Sequence, residues 1–255
     1  MSIAVINSST IVSDADGKTI VDAVNKILPQ FCKDWKLPIY KVSYIAKGKT
    51  TSEKIKIFIF DTSDVNYAYG YHEINDNTPS AKCFAKTVLD YGGSILYSPT
   101  GDQTLAQVVA HEIFELLIDP HCNSWWDIGD GQTLIARETC DPVQGNDIIV
   151  TVTTPSKVIF NPKTRKSTKT AAVSKKVGLS DWILPEWSHP QNTVGPFNHL
   201  KTLTAPFTLD PGGYTITITN AEQGQVFAMK YGSAVTEEQK ERYAKRSSRF
   251  SKRMT

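Results

Sequence analysis

The chain contains 255 residues, of which 40% are hydrophobic and 21% are charged, and its formal net charge is +2. This composition is ordinary for a soluble globular protein. No apolar run reaches the length of a membrane span, and the N-terminus lacks the basic and apolar segments of a signal peptide. We therefore expect a cytosol-made protein that does not enter a membrane and whose four cysteines are reduced thiols.

The first half of the chain predicts two helices among several short strands. The first helix covers residues 19–35, with Asp14 or Asp16 as its cap and a kink or break at Pro29. The second runs from about Thr104 to Ile118 and is stopped by the Asp-Pro pair that follows it. Strands are predicted at residues 2–6, 39–46, 54–61, 67–74, 81–89 and 94–98.

The second half predicts mainly β structure, with short strands at residues 148–154, 157–160, 205–209 and 214–219. An exposed loop is predicted over residues 161–178, where bulky apolar residues are few. The order of elements indicates an α+β fold with a mixed or antiparallel sheet beneath two helices. We predict three parts: a module with the motif helix, an irregular β-rich subdomain and a basic tail, covering residues 1–145, 146–234 and 235–255.

The most informative motif is the segment from His111 to Glu115, which lies inside the second predicted helix. It is the metalloprotease pattern H-E-x-x-H with glutamate in place of the second histidine. Side chains four residues apart lie on one helical face, so His111 and Glu115 are candidate metal ligands. Glu112 occupies the position of the general base that activates water. A structural cluster of histidine and glutamate is the alternative interpretation.

Further ligands are expected downstream of this helix. We predict Glu138 as the third ligand, with Asp141 as a further ligand or a residue that orients one. Asp119, one turn beyond Glu115, either orients a ligand or ends the helix. One imidazole and two carboxylates form a harder ligand set than two imidazoles, so zinc is expected but another divalent metal is an alternative.

The other histidines carry weaker signals. His72 is predicted to be a surface residue of a strand. A hydrolase of this type needs a donor that stabilises an oxyanion, and His199 or Tyr214 is a candidate for that role. Packing in a loop is the alternative for His199. The strand at residues 81–89 is a candidate edge for binding an extended peptide.

The chain resembles a poorly characterised family of phage and bacterial proteins in four segments: HEIFELLIDP, GYHE…AKCFAKT, RETCDPV and GPFNHL…FTLDPGGY. That family shares an H-E-x-x-E-x-x-x-D-P helix and is similar to zincin-like metallopeptidases. The resemblance covers most of residues 1–220 and lies in the combination of motifs. It implies a metal site of His111, Glu115 and Glu138, with Glu112 as base, and leaves the substrate open.

Two functions from different classes follow from these patterns. The first is a metal-dependent peptidase or amidase, and the second is an inactive zincin-fold protein of a phage virion, associated with the capsid or tail. Residues 240–253 contain seven Lys or Arg and the single acid Glu241. Such dense like charges repel one another, so the tail is predicted to pack against a protein neighbour in an assembly. Nucleic acid is not expected, because aromatic residues are not interleaved with these charges. The location would be the cytoplasm or a virion.

Overall fold

The protein has an α+β fold, and the computed structural model describes residues 1–65, 68–156, 158–161, 165–221 and 224–244. Its first sheet is mixed, with strand order β2-β1-β3-β5-β4. These strands are β1 (Ser2–Asn7), β2 (Lys41–Ile45), β3 (Ile55–Phe60), β4 (Gly70–Asn75) and β5 (Thr78–Phe84). Four of them run in parallel, whereas β4 is antiparallel to β5 and forms an edge. The predicted mixed sheet is confirmed.

The segment at residues 81–89 differs from its prediction in two ways. Residues 81–84 belong to β5, which lies between β3 and β4, so this strand is not an edge. Residues 85–89 belong to the short helix α2 (Ala85–Asp90). The edge strand on this side of the sheet is β4, which the sequence also predicted as a strand.

The helix α1 (Asp14–Asp34) begins after Ser13, whose side chain accepts a hydrogen bond from the backbone N–H of Asp16. The prediction that Asp14 or Asp16 caps this helix is therefore wrong. The helix also continues through Pro29, so the predicted break is wrong. Leu28 and Phe31, on either side of the proline, are fully buried, and their packing stabilises the helix across this position.

The helix α3 (Leu105–Ile118) confirms the predicted motif helix. Thr104 and Gln107 form a capping box at its N-terminus, and Asp119 is its C-terminal cap. Every residue from Leu105 to Leu116 is buried. A helix that is buried all round lies in the core, so the polar residues of the motif face the protein interior.

The remaining strands form smaller sheets, with order β13-β12-β7-β6 in the largest of them. Two antiparallel pairs, β8 with β11 and β9 with β10, complete the β structure. The bounds are β6 (Trp125–Asp127), β7 (Thr133–Ala136), β8 (Asp147–Thr154), β9 (Val158–Asn161), β10 (Lys166–Lys169), β11 (Val173–Ser180), β12 (Tyr214–Ala221) and β13 (Gly224–Tyr231). The strands predicted at 148–154, 157–160 and 214–219 are thus confirmed.

Three predictions for the rest of the chain are wrong. Residues 94–98 contain only an isolated bridge from Ser94 to Thr104, and residues 205–209 contain no strand. The predicted loop over residues 161–178 contains β10 and most of β11. In β11, Val177 and Leu179 are fully buried and join the same hydrophobic core as α1 and α3. These two apolar residues anchor β11, which was not predicted as a strand because most of the segment is basic and polar.

The described part of the C-terminal tail folds back onto this protein's own surface. Residues 237–244 form a short helix, α4, and the ring of Tyr243 stacks on Tyr214 with centroids 4.0 Å apart. The predicted contact with a neighbouring chain remains a prediction, and residues 245–255 lie outside the described ranges. Among the described helices, none is long and apolar enough to cross a membrane.

Candidate metal centre

Three elements bring six polar side chains together beneath the first sheet. We call these residues the acidic cluster. They are His72 from β4, then His111, Glu112 and Glu115 from α3, and Glu138 and Asp141 from the segment after β7. All six are buried, with exposed fractions between 0% for Glu115 and 4% for the two histidines. Every metal ligand or base that the sequence predicted from the motif and its downstream turn is in this cluster.

The imidazole of His111 lies between two carboxylates. Its Nε2 atom is 3.0 Å from an oxygen of Glu115 and 3.2 Å from an oxygen of Asp141. The other oxygen of Glu115 accepts a hydrogen bond of 3.2 Å from the backbone N–H of Cys140. A single N–H at Nε2 has good hydrogen-bond geometry with only one of the two carboxylates, whereas a metal ion could bind all three groups.

Glu138 lies on another side of the same cluster. Oxygen atoms of Glu115, Glu138 and Asp141 are within 4.8 Å of one another, so these three carboxylates could hold a metal ion. Glu138 is also 4.0 Å from Nε2 of His72. The sequence predicted Glu138 next to His111, and the structure places Asp141 there. Glu138 remains within reach of an ion held by Glu115.

His72 is not a surface residue, and that prediction is wrong. Its Nδ1 atom is 3.5 Å from Glu112 and 4.0 Å from Glu115. Side chains alternate along a strand, so His72 and Gly70 share the face of β4 that contacts α3. The helix therefore covers this face although β4 is an edge strand. The sequence did contain a signal for the burial of His72. Gly70 lies two residues earlier on the same face, and glycine in a strand is typical of a face that another element approaches closely.

Electrostatics favour a cation in this cluster. Burial lowers the pKa of His72, but the nearby Glu138, Cys122 and Glu112 outweigh that effect and raise the pKa well above its usual range. Even with both imidazoles protonated, two positive charges face four carboxylates. Several carboxylates buried close together repel one another, and a divalent cation would offset that repulsion.

The donor set and its spacing also fit a metal ion. Two atoms bound to one tetrahedral ion at about 2.1 Å are about 3.4 Å apart. The separations of His111 Nε2 from Glu115 and Asp141, 3.0 and 3.2 Å, are close to that value. Imidazole and carboxylate are both zinc ligands, and a second imidazole at His72 makes the set softer than the sequence indicated.

Two cysteines lie against the cluster. Cys140 follows Glu138 in the chain and forms a further candidate ligand group with His111 and Glu115. Burial, with the charge of Glu115 next in effect, raises the pKa of the Cys140 thiol well above its usual range. The thiol of Cys122 donates to the backbone oxygen of His72 at 3.5 Å. All four cysteines are free, as the sequence predicted.

Asp119 has a structural contact outside the cluster. It caps α3, and its carboxylate accepts a 2.9 Å hydrogen bond from the backbone N–H of Ser124. This bond holds the segment that leads from the helix towards β6. Of the two roles considered from the sequence, ending the helix is the one that these contacts support.

An open cavity reaches the cluster from one side. His111 and Glu112 line it together with Val108 and Gly70. A Cβ atom at Gly70 would lie 2.9 Å from Oε1 of Glu112 and 2.6 Å from Val108. The glycine thus permits the close approach of β4 to Glu112, which faces the cavity while Glu115 is fully buried.

The two candidate oxyanion donors lie in different places. His199 stacks on Trp182 with ring centroids 4.1 Å apart, and its Nδ1 atom is 3.9 Å from Asp34. The structure therefore does not bring His199 to the cluster, and its contacts are those of loop packing. Tyr214 is fully buried and stacks on Tyr243, which lines the cavity.

Comparison of this chain with protein-family models, with curated proteins and with solved structures gives no match. The function must therefore be argued from the geometry of the cluster and its cavity.

Proposed function

We propose that the protein is a metal-dependent hydrolase of amide bonds, with zinc as its metal. One observation carries the proposal: Glu115 and Asp141 each lie within 3.2 Å of Nε2 of His111, and His111 and Glu112 line the same cavity. Ligands from a rigid helix and a carboxylate poised at an open side are what hydrolysis by a metal site requires.

In this proposal His111 and Glu115 hold the ion together with Asp141 or Glu138. When bound, zinc supplies a Lewis acid that polarises an amide carbonyl and makes water more acidic. Glu112 accepts a proton from the attacking water and passes it to the leaving amine. His72, 3.5 Å from Glu112, orients this carboxylate within the cluster.

The resemblance to zincin-like metallopeptidases supports His111 and Glu115 as ligands and Glu112 as base, whereas it implies Glu138 as the third ligand. The buried position of the motif on α3 supports it further. Burial of a helix face with three ionisable residues is costly, and a metal ion bound there would offset part of that cost.

The test is metal analysis of purified protein, combined with a hydrolysis assay on a mixed pool of peptides with zinc added. We expect about one zinc per chain in the wild type, and loss of zinc in His111→Ala and Glu115→Gln. Glu112→Gln should keep its zinc and lose hydrolysis, since it removes the base but not a ligand. A wild type that takes up no divalent metal would overturn the proposal. Bound zinc without hydrolysis of any peptide would instead favour the structural protein of an assembly.

A further inference from the structure

Arg242, on α4, lies where the cavity at the acidic cluster meets a second, outer cavity. The inner cavity is lined by His111 and Glu112, and the outer one by Asp102 and Tyr91 among others. Five residues line both cavities and so form a neck between them: Tyr69, Gln103, Gln144, Arg242 and Tyr243. Any ligand that reaches the cluster through the outer cavity passes these side chains.

Arg242 is also the only Lys or Arg among the described residues that line the two cavities. The titratable groups of the inner cavity besides it are Glu112, His111 and tyrosines. A single fixed cation in front of a carboxylate-rich centre marks the place where an anionic group of a ligand would be stabilised.

The guanidinium group of Arg242 is held in place before any ligand arrives. Its central carbon lies 3.7 Å from the ring centroid of Tyr91 and 5.4 Å from that of Tyr69. One terminal nitrogen donates to the hydroxyl of Tyr69, and only 13% of the side chain is exposed. The two ring contacts and the hydrogen bond to Tyr69 restrict the group, so little rotamer freedom is lost on binding.

Its existing ion pair does not prevent such binding. Arg242 donates a 2.6 Å hydrogen bond to Glu238, whose side chain is 66% exposed. Because the Glu238 side of this pair is open to solvent, the pair is weak and is partly screened by salt. The planar guanidinium has further N–H donors, which suit a carboxylate held by two parallel bonds.

We propose that Arg242 determines specificity by binding a free carboxylate of the substrate, so that the preferred substrates are peptides or acylated amino acids cleaved next to a carboxylate. This inference rests on the proposed hydrolase function, since it names the substrate class of that site. The aromatic rings of Tyr69 and Tyr243 at the neck favour an apolar side chain beside the carboxylate.

The test measures binding by calorimetry to the zinc-loaded full chain, with 3-phenylpropanoate and the neutral 3-phenylpropan-1-ol as matched probes, neither of which contains an amide bond. We expect the acid to bind at least about tenfold more tightly than the alcohol, which is the size of effect that a charge-assisted hydrogen bond gives. Arg242→Gln should abolish this preference, and Arg242→Lys should keep part of it.

Arg242→Gln also removes contacts of α4, so a lost preference in this variant could come from a loosened helix. A second pair of variants separates these two effects. Glu238→Gln should increase the preference for the acid, because it removes the carboxylate that competes for Arg242. Glu237→Gln is the control, since it removes an equal charge from a residue of the same helix that pairs with Lys240 instead. A purely structural pair would give a decrease or no change in Glu238→Gln.

The inference is overturned if the wild type binds neither probe, binds both equally, or keeps its preference in Arg242→Gln. Failure of the proposed hydrolase function has a different signature. In that case the preference for the acid would persist and depend on Arg242, while no peptide would be hydrolysed.

Discussion

The imidazole Nε2 of His111 lies 3.2 Å from a carboxylate oxygen of Asp141, although the first residue belongs to α3 and the second to the turn Asp141–Val143. A helix alone presents two ligands on one face, so a third must come from another element. The contact places the carboxylate of Asp141 directly against His111.

We predict that Asp141→Asn weakens zinc binding by at least about tenfold, and by more than Glu138→Gln does. The reason is that Asp141 lies 3.2 Å from His111, whereas Glu138 lies 4.0 Å from His72. Zinc affinity measured by competition with a chelator decides the order. The reverse order would restore Glu138 as the third ligand, as the sequence and the resemblance implied.

Gly70→Ala is expected to destabilise the protein by about 1–3 kcal/mol through overpacking, and to lower hydrolysis by displacing Glu112. The added Cβ would lie 2.6 Å from Val108 and 2.9 Å from Glu112. Gly17→Ala is the control, because its Cβ would lie 2.5 Å from the ring of Tyr44 in another part of the fold. Urea unfolding and hydrolysis per folded molecule check both. Equal losses of hydrolysis in the two variants would contradict the proposed position of Glu112.

The zinc-free protein should lose stability as pH rises above about 6.5. The pKa of His72 is raised well above its usual value of 6.5 in the folded protein. A group with a raised folded pKa contributes stability that is fully present below its unfolded pKa and is lost as pH rises through the folded one. Zinc binding should reverse this slope, since it needs deprotonated ligands.

His72→Gln should flatten this dependence in chelator-treated protein and should cost about 3–5 kcal/mol at pH 6, because it leaves buried carboxylates uncompensated. His199→Gln is the control, since burial lowers the pKa of His199 and its titration falls below 6.5. The free energy of unfolding in urea, measured between pH 6 and pH 9, checks this prediction. An unchanged slope in His72→Gln would show that His72 is not the group responsible.

Truncation tests whether the basic tail takes part in an assembly. A chain that ends at Ala244 keeps the stacking of Tyr243 on Tyr214 and should remain as stable as the full chain. We predict that it loses any self-association, because it lacks most of the cationic residues of the tail. Sedimentation velocity at low and high salt measures this. If the shortened chain associates like the full one, the proposed role of the tail in an assembly is wrong.

The motif helix could be predicted from the sequence because its information is local. Thr104 and Gln107 cap its start, Asp119 precedes a proline at its end, and apolar residues surround His111 between them. Spacing on one helix also predicted correctly that His111 and Glu115 lie side by side. Local patterns of this kind predict both the helix and which of its side chains lie next to one another.

His72 and Arg242 could not be found in the same way. The first reaches the cluster only because α3 covers one face of β4, and the second because α4 folds back over Tyr69 and Tyr91. Both relations depend on tertiary packing between distant segments. The strand β11 was missed for a related reason, since only two buried apolar residues, Val177 and Leu179, anchor it among lysines.

The hairpin of β4 and β5 sets a condition on the evolution of the whole site. Its two central residues, Asp76 and Asn77, both have positive φ, at 47° and 58°, as a tight two-residue turn requires. A one-residue insertion there would shift the strand register and exchange the two faces of β4. The histidine would then point away from α3. We therefore expect insertions and deletions at this turn to be as poorly tolerated as substitutions in the buried cluster, even though the turn itself is exposed.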